Sequence, residues 1–187
     1  MRYSIRTGLF ERICLLRWGQ LSFAVVFSSI LPVSLFLVGN IAGMRINTTP
    51  SLPRGLYISA GASSPLVEFC PVGSVASIST DRGYRVNGSC PDGSSALMKP
   101  IIAKPGDHVQ LTAAGISVNG RFLANTAPLT MDTQHRPLQH FPYGRYTVGK
   151  GEVWVASSYN FHSFDSRYYG PVSILLISRH LRPLLTL

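Results

Sequence analysis

Acidic residues are scarce: 8 Asp and Glu stand against 17 Lys and Arg in 187 residues, for a formal net charge of +9. Yet the basic residues form no run after position 44 and do not alternate with aromatics, so nucleic acid is not an expected partner. Anionic lipid headgroups or an acidic protein suit the same surplus. Metal-ligand spacing is also missing. His108, His135, His140, His162 and His180 are scattered, without a paired cysteine or an H-E-x-x-H helix, so neither a metal nor another cofactor is expected. Sustained helical periodicity is lacking beyond Met44, as is any internal repeat, and 13 prolines with 17 glycines interrupt the chain too often for a helical bundle.

What the chain does have is one long uncharged stretch, LSFAVVFSSILPVSLFLVGNIAG at 21–43. About 20 apolar residues cross a hydrocarbon core roughly 30 Å thick, so this segment predicts a single transmembrane helix, with Pro32 inside it as a site of kinking. A cleaved signal peptide is the alternative, and the run exceeds the usual apolar core of one. Arg2, Arg6, Arg12 and Arg17 precede the stretch against only Glu11. Residues 1–20 are therefore expected in the cytoplasm, and 44–187 on the outer face of the inner membrane, in the periplasm. Cys14 falls on the cytoplasmic side, Cys70 and Cys90 on the exported, oxidising side. A Cys70–Cys90 bridge would stabilise the fold by about 3 kcal/mol; two unpaired cysteines are the other possibility.

The exported part is predicted to be mainly β. SVASIS at 74–79, ALMKPIIA at 96–103, HVQLT at 108–112 and EVWVAS at 152–157 are β-branched or alternating runs. In GISVNGRFL at 115–123, Asn119 and Gly120 separate two short strands, a hairpin signal because both tolerate positive φ. Residues 125–144 have no period and predict a long loop or insertion. From 171 the chain begins as a buried strand, too short and too basic for a second anchor.

Two positions bear on chemistry. Ser51 lies between Pro50 and Pro53, whose restraint on their predecessors predicts an extended, fixed presentation. Its own N–H and the Thr49 hydroxyl are candidate oxyanion donors. Lys99 sits among Leu97, Met98, Ile101 and Ile102. Burial there opposes its charge and lowers its pKa toward the working pH, the condition for a neutral amine to take a serine proton. A rigid linker is the alternative for the Ser51 segment taken alone, and a solvent-facing side chain the alternative for Lys99.

The order Ser51-Leu52-Pro53, then Lys99 ahead of Pro105-Gly106-Asp107, then SFDSRYYGPV at 163–172 resembles the bacterial type I signal peptidases. Within that family it most resembles the TraF-type peptidases of conjugative plasmid transfer. There a single residue separates the serine from the proline, and cysteines occur in contexts like those of Cys70 and Cys90. The resemblance implies a signal-peptidase-like β domain and a membrane-anchored serine endopeptidase. It implies Ser51 as nucleophile, Lys99 as general base, Ser163 as the hydroxyl orienting the lysine, and Asp165 with Arg167 as a supporting ion pair, a direct part for Asp165 remaining open. Ser157-Ser158-Tyr159-Asn160 stands where the general enzymes have Gly-Asp-Asn-Arg, which implies different substrate positioning. The implied partner is an exported precursor such as a conjugative pilin, either hydrolysed or cyclised. A general signal peptidase and a non-catalytic scaffold of a secretion channel are the alternatives.

Overall fold

The structure, a computed structural model, describes residues 28, 30, 32–34, 37–39 and 43–187. The chain divides into two units, Met1–Met44 and Arg45–Leu187. In the first, the described residues before position 40 are helical, and the Ser34 hydroxyl donates to the Ile30 carbonyl at 2.8 Å. The expected basic tail at 1–20 lies outside the described residues, as does most of the expected transmembrane helix at 21–43. Among the described residues no helix is long and apolar enough to cross a membrane.

The second unit is mainly β. Its strands are β1 (Arg45–Asn47), β2 (Gly55–Ala60), β3 (Leu66–Phe69), β4 (Leu97–Ala103), β5 (His108–Thr112), β6 (Gly115–Val118), β7 (Arg121–Phe122), β8 (Gly144–Thr147), β9 (Glu152–Val155), β10 (Val172–Ser173) and β11 (Ile177–Thr186). Two short helices, α1 (Gly73–Asp81) and α2 (Ser166–Tyr169), interrupt them. All pairing is antiparallel, in a seven-stranded sheet of order β1-β2-β11-β3-β4-β9-β10 and a four-stranded sheet of order β7-β6-β5-β8.

Strand β9 explains how the sheets share a core. Successive side chains of a strand point to opposite faces, and here both faces are apolar. Trp154 packs with Val109, Leu111 and Ile116 of the small sheet, whereas Val153 and Val155 pack with Val67, Phe69 and Leu97 of the large one. The same alternation on β4 sets Lys99 on the face of Leu97 and Ile101, both of which belong to the second cluster or pack against it.

Most of the predicted strands form, including the hairpin turn at Asn119 and Gly120, with φ of 50° and 82°. The segment at 74–79 does not: it belongs to helix α1. Gly73 turns the chain at φ 58° just before it, the apolar Val75 and Ile78 are spaced to share a helical face, and Gly83 at φ 68° closes the turn after it. The disulfide between Cys70 and Cys90 staples the ends of this excursion, with Cα atoms 5.6 Å apart. Toward the C-terminus, β10 gives way to a 3-10 turn at Ile174–Leu176 before β11 inserts between β2 and β3. Gly55 permits that insertion, since a Cβ there would meet the Leu185 carbonyl oxygen at 2.1 Å.

Candidate active site

Asn47 at the end of β1 pairs with Gly55 at the start of β2, so residues 48–54 close a hairpin with Ser51 in its tip. Pro50 and Ser51 form a turn there, in place of the extended presentation expected from the flanking prolines. The reason lies in Asn47, which is buried at 5% exposure. Its amide nitrogen donates to the carbonyls of Thr49 at 3.1 Å, Leu52 at 3.2 Å and Pro53 at 3.1 Å. Its amide oxygen accepts from the Thr49 N–H at 3.2 Å and the Thr49 hydroxyl at 2.7 Å. The loop is thus folded around one side chain, and Tyr57 adds a hydroxyl donated to Pro53 O at 2.6 Å. The single hydroxyl proton of Thr49 is engaged by Asn47, which leaves the Ser51 N–H as the stronger candidate oxyanion donor.

The far side of the loop is held by the segment after β9. The Ser157 hydroxyl donates to the Ser51 carbonyl, and the Asn160 amide donates to Pro50 O at 3.1 Å. The Ser157 N–H donates to Asp165 Oδ2 at 3.1 Å. Asp165 caps α2 and pairs with Arg167 in bidentate fashion, Nε to Oδ1 at 2.8 Å and Nη2 to Oδ2 at 2.8 Å, both side chains wholly buried. The remaining guanidinium donors reach the carbonyls of Ser163 at 2.7 Å, and Asn125 and Phe161 at 3.1 Å each. A buried ion pair withstands desolvation only when its donors are satisfied in this way.

Lys99 lies on β4, opposite Val67 of β3. On its other side Ile101 faces Val155, and the Ala156 N–H donates to Pro100 O at 3.2 Å. The Lys99 side chain is 3% exposed. Burial pushes its amine down to about 8, with Asp165 opposing that shift and Arg167 adding to it. Near pH 7 roughly a tenth of such an amine is neutral, against less than a thousandth for a lysine in water. Ser163 is buried nearby in the chain, on the segment leading to α2, and its hydroxyl has no hydrogen-bond partner among the described residues.

The structure therefore joins Ser51 to Asp165 and Arg167 through Ser157, and buries Lys99 within electrostatic reach of the same pair. Cys70 and Cys90 lie outside this network. A groove of about 630 Å³ is lined by residues of α1, by Pro137–Gln139 and Phe141, and by Phe164, Tyr168 and Tyr169, but neither Ser51 nor Lys99 lines it. Among the described residues no group of His, Cys, Asp and Glu could hold a metal ion. The sequence marked Ser157 and Asn160 only as part of a stretch that departs from the general enzymes, with no role at the Ser51 loop, and did not single out Asn47. The signal that could have found Asn47 is an amide placed just before a proline-rich loop, where such side chains bond local backbone.

A family model described as signal peptidase, peptidase S26, matches residues 15–178. Two Escherichia coli proteins named plasmid transfer protein TraF are similar to the chain. One is 41% identical over 151 residues, covering 78% of this chain and 85% of the relative. The other is 35% identical over 171 residues, covering 89% and 96%. The crystal structure of a signal peptidase I from Enterococcus faecalis V583 aligns at 16% identity with a TM-score of 0.36, covering 66% of this chain and 99% of that one.

Proposed function

Because the chain belongs to the signal peptidase family, peptidase S26, we propose that it is a membrane-anchored serine endopeptidase in which Ser51 is the nucleophile and Lys99 the general base. One observation carries this: Lys99 is enclosed in an apolar strand that pushes its amine to about 8, on the sheet whose first hairpin presents Ser51. The Ser51 oxygen attacks the scissile carbonyl carbon while its proton passes to the neutral Lys99 amine. The Ser51 N–H stabilises the resulting oxyanion, and the protonated lysine returns its proton to the departing amine as the peptide bond breaks. An ester at Ser51 remains. Water, or an amine of the substrate held at high effective molarity, then attacks that ester through the same base, releasing an acid or a cyclic amide. Ser163 is the hydroxyl that orients the lysine in this scheme; buried and without a hydrogen-bond partner among the described residues, it would have to form that bond when the lysine takes up its working position.

The basic residues 1–20 lie in the cytoplasm in this proposal, residues 21–43 cross the inner membrane, and 44–187 work in the periplasm. The Cys70–Cys90 disulfide supports an oxidising compartment for the second unit. Likeness to proteins named plasmid transfer protein supports an exported precursor of a conjugation system, a pilin subunit above all, as substrate. A general signal peptidase is less well supported, because Ser157-Ser158-Tyr159-Asn160 departs from the Gly-Asp-Asn-Arg of those enzymes, and two of these residues hold the nucleophile loop.

The test is Ser51→Ala in the full chain. Processing of the co-expressed precursor should be abolished while the variant still accumulates folded in the membrane. Retained processing would remove Ser51 from the mechanism, and a chain that scaffolds a secretion channel without catalysis would show no difference between the two.

A further inference from the structure

Ser157 and Asn160 lie in the segment where the chain departs from the general signal peptidases, yet they make the only long-range hydrogen bonds described to the peptide groups on either side of Ser51. Ser157 is wholly buried on the segment that follows β9. Its hydroxyl donates to Ser51 O and accepts from the Tyr159 N–H at 3.1 Å, while its own N–H donates to Asp165 Oδ2 at 3.1 Å. Asn160 donates its amide to Pro50 O at 3.1 Å, and its amide oxygen is held by the His162 N–H at 2.8 Å. A peptide unit is planar and trans, so its C=O and N–H point in opposite directions along one plane. Fixing Pro50 O therefore fixes the direction of the Ser51 N–H, the proposed oxyanion donor. Fixing Ser51 O sets the next plane. Together the two grips leave little freedom in the backbone that carries the Ser51 side chain.

Asp165 enters the same chain of contacts from behind. Arg167 holds its carboxylate at both oxygens, and one of those oxygens positions the Ser157 N–H. We propose that Ser157 and Asn160 are positioning residues that aim the Ser51 hydroxyl and N–H, and that Asp165 acts on the reaction through Ser157. This rests on Ser51 being the nucleophile. Asp165 accordingly needs no contact with substrate: its loss is felt at Ser51 through the hydrogen bond to Ser157, and separately at Lys99, whose amine its charge raises, so Asp165→Asn moves the pH midpoint down where Ser157→Ala does not.

The experiment measures acetylation of Ser51 by p-nitrophenyl acetate in the purified full chain in phospholipid vesicles, read by mass spectrometry of the peptide carrying Ser51. Ser157→Ala and Asn160→Ala should each slow acetylation by about ten- to a hundredfold, the range expected when a reacting group is misplaced without being removed. Neither should move the pH midpoint of the reaction, because Lys99 is untouched. Ser157→Thr keeps the hydroxyl and should recover most of the rate. Combining Ser157→Ala with Asp165→Asn should be no slower than the worse single variant, since both break one route. If Ser157→Ala fails to fold, Ser157→Thr and Asn160→Ala still decide the matter. Unaltered rates in Asn160→Ala and Ser157→Ala, in a preparation whose unaltered chain is acetylated at Ser51, overturn the inference alone. Independent, multiplying losses for Ser157→Ala and Asp165→Asn overturn the route through Ser157. Absence of acetylation at Ser51 in the unaltered chain overturns the nucleophile assignment, and the inference with it.

Discussion

Asp165 and Asp132 each gather arginine, but in opposite surroundings. Asp165 and Arg167 are both wholly buried, with every guanidinium nitrogen bonded to protein and Lys99 in the same electrostatic field. Asp132 is nearly as enclosed, but its partners Arg82 and Arg136 stay 26% and 32% exposed. Its carboxylate also accepts the Tyr84 hydroxyl at 2.6 Å and the N–H groups of Gln134 and Arg136 at 2.9 and 3.0 Å. The second cluster seats the irregular stretch 125–144 against α1 and the turn after it; the first holds the candidate site. An exposed arginine loses little when its partner goes, because water replaces it. A buried one cannot be rescued that way, so the two clusters should respond differently to the same change.

The largest difference is expected between Asp165→Asn and Asp132→Asn. The former leaves a buried guanidinium without its counter-ion and should lower stability by about 3–5 kcal/mol, with loss of processing. The latter should lower the melting temperature by less, open 125–144 to protease and leave processing in place. Thermal denaturation of the full chain in detergent, with limited proteolysis, distinguishes them. Equal losses in both assays would erase the contrast.

Lys99 sharpens the comparison from the other direction. Its folded pKa is lowered, so the unfolded chain binds more protons between about 8 and the ordinary 10.5, and stability rises with pH across that window. At pH 7 the burial of this charge costs about 3 kcal/mol. Lys99→Met should therefore be inactive yet more stable than the unaltered chain at pH 7, the gain shrinking as pH rises from about 8 and gone above about 10.5. A less stable Lys99→Met at pH 7 would contradict an apolar enclosure.

Acid produces the smallest effect. Burial pushes the Asp132 carboxyl up, but hydrogen bonds from Tyr84 and Arg136 outweigh it and hold the group well below the usual carboxylate range. Its contribution is present above the unfolded value of about 3.9 and is lost as pH falls through the lower folded one. Protease sensitivity confined to 125–144 should consequently appear only in strong acid, and should disappear as a pH-dependent feature in Asp132→Asn. Release of that stretch near neutral pH would refute this role for Asp132.

Legibility in the sequence followed the range of the interactions. Strands β4, β5 and β9 and the Asn119-Gly120 hairpin were visible because alternation and turn chemistry act over a few residues. Residues 74–79 misled because a short apolar run suits either a helix or a strand, and Gly73 and Gly83 decided for the helix. Strands β1, β2, β3 and β8 escaped notice because they lack the sustained apolar or β-branched alternation that marked the others. The candidate residues Ser51, Lys99, Ser163, Asp165 and Arg167 came from motif order. For Ser157 and Asn160 motif order showed only a departure from the general enzymes; their hold on the Ser51 loop was hidden, because those bonds span 106 and 110 residues and only the folded sheet brings them together. The fate of the Thr49 hydroxyl was hidden for a different reason: it depended on which way a neighbouring asparagine turned.

Transfer of the Ser51 proton to Lys99 is tested most directly by the pH dependence of Ser51 acetylation. In the full chain, the rate of reaction with p-nitrophenyl acetate should fall as pH drops through about 8, with a single titration, because protonation removes the neutral amine. The acidic limb should persist in His162→Ala, and Lys99→Met should show almost no acetylation at any pH. Near-normal acetylation in Lys99→Met, with the acidic limb abolished by His162→Ala, would contradict the account.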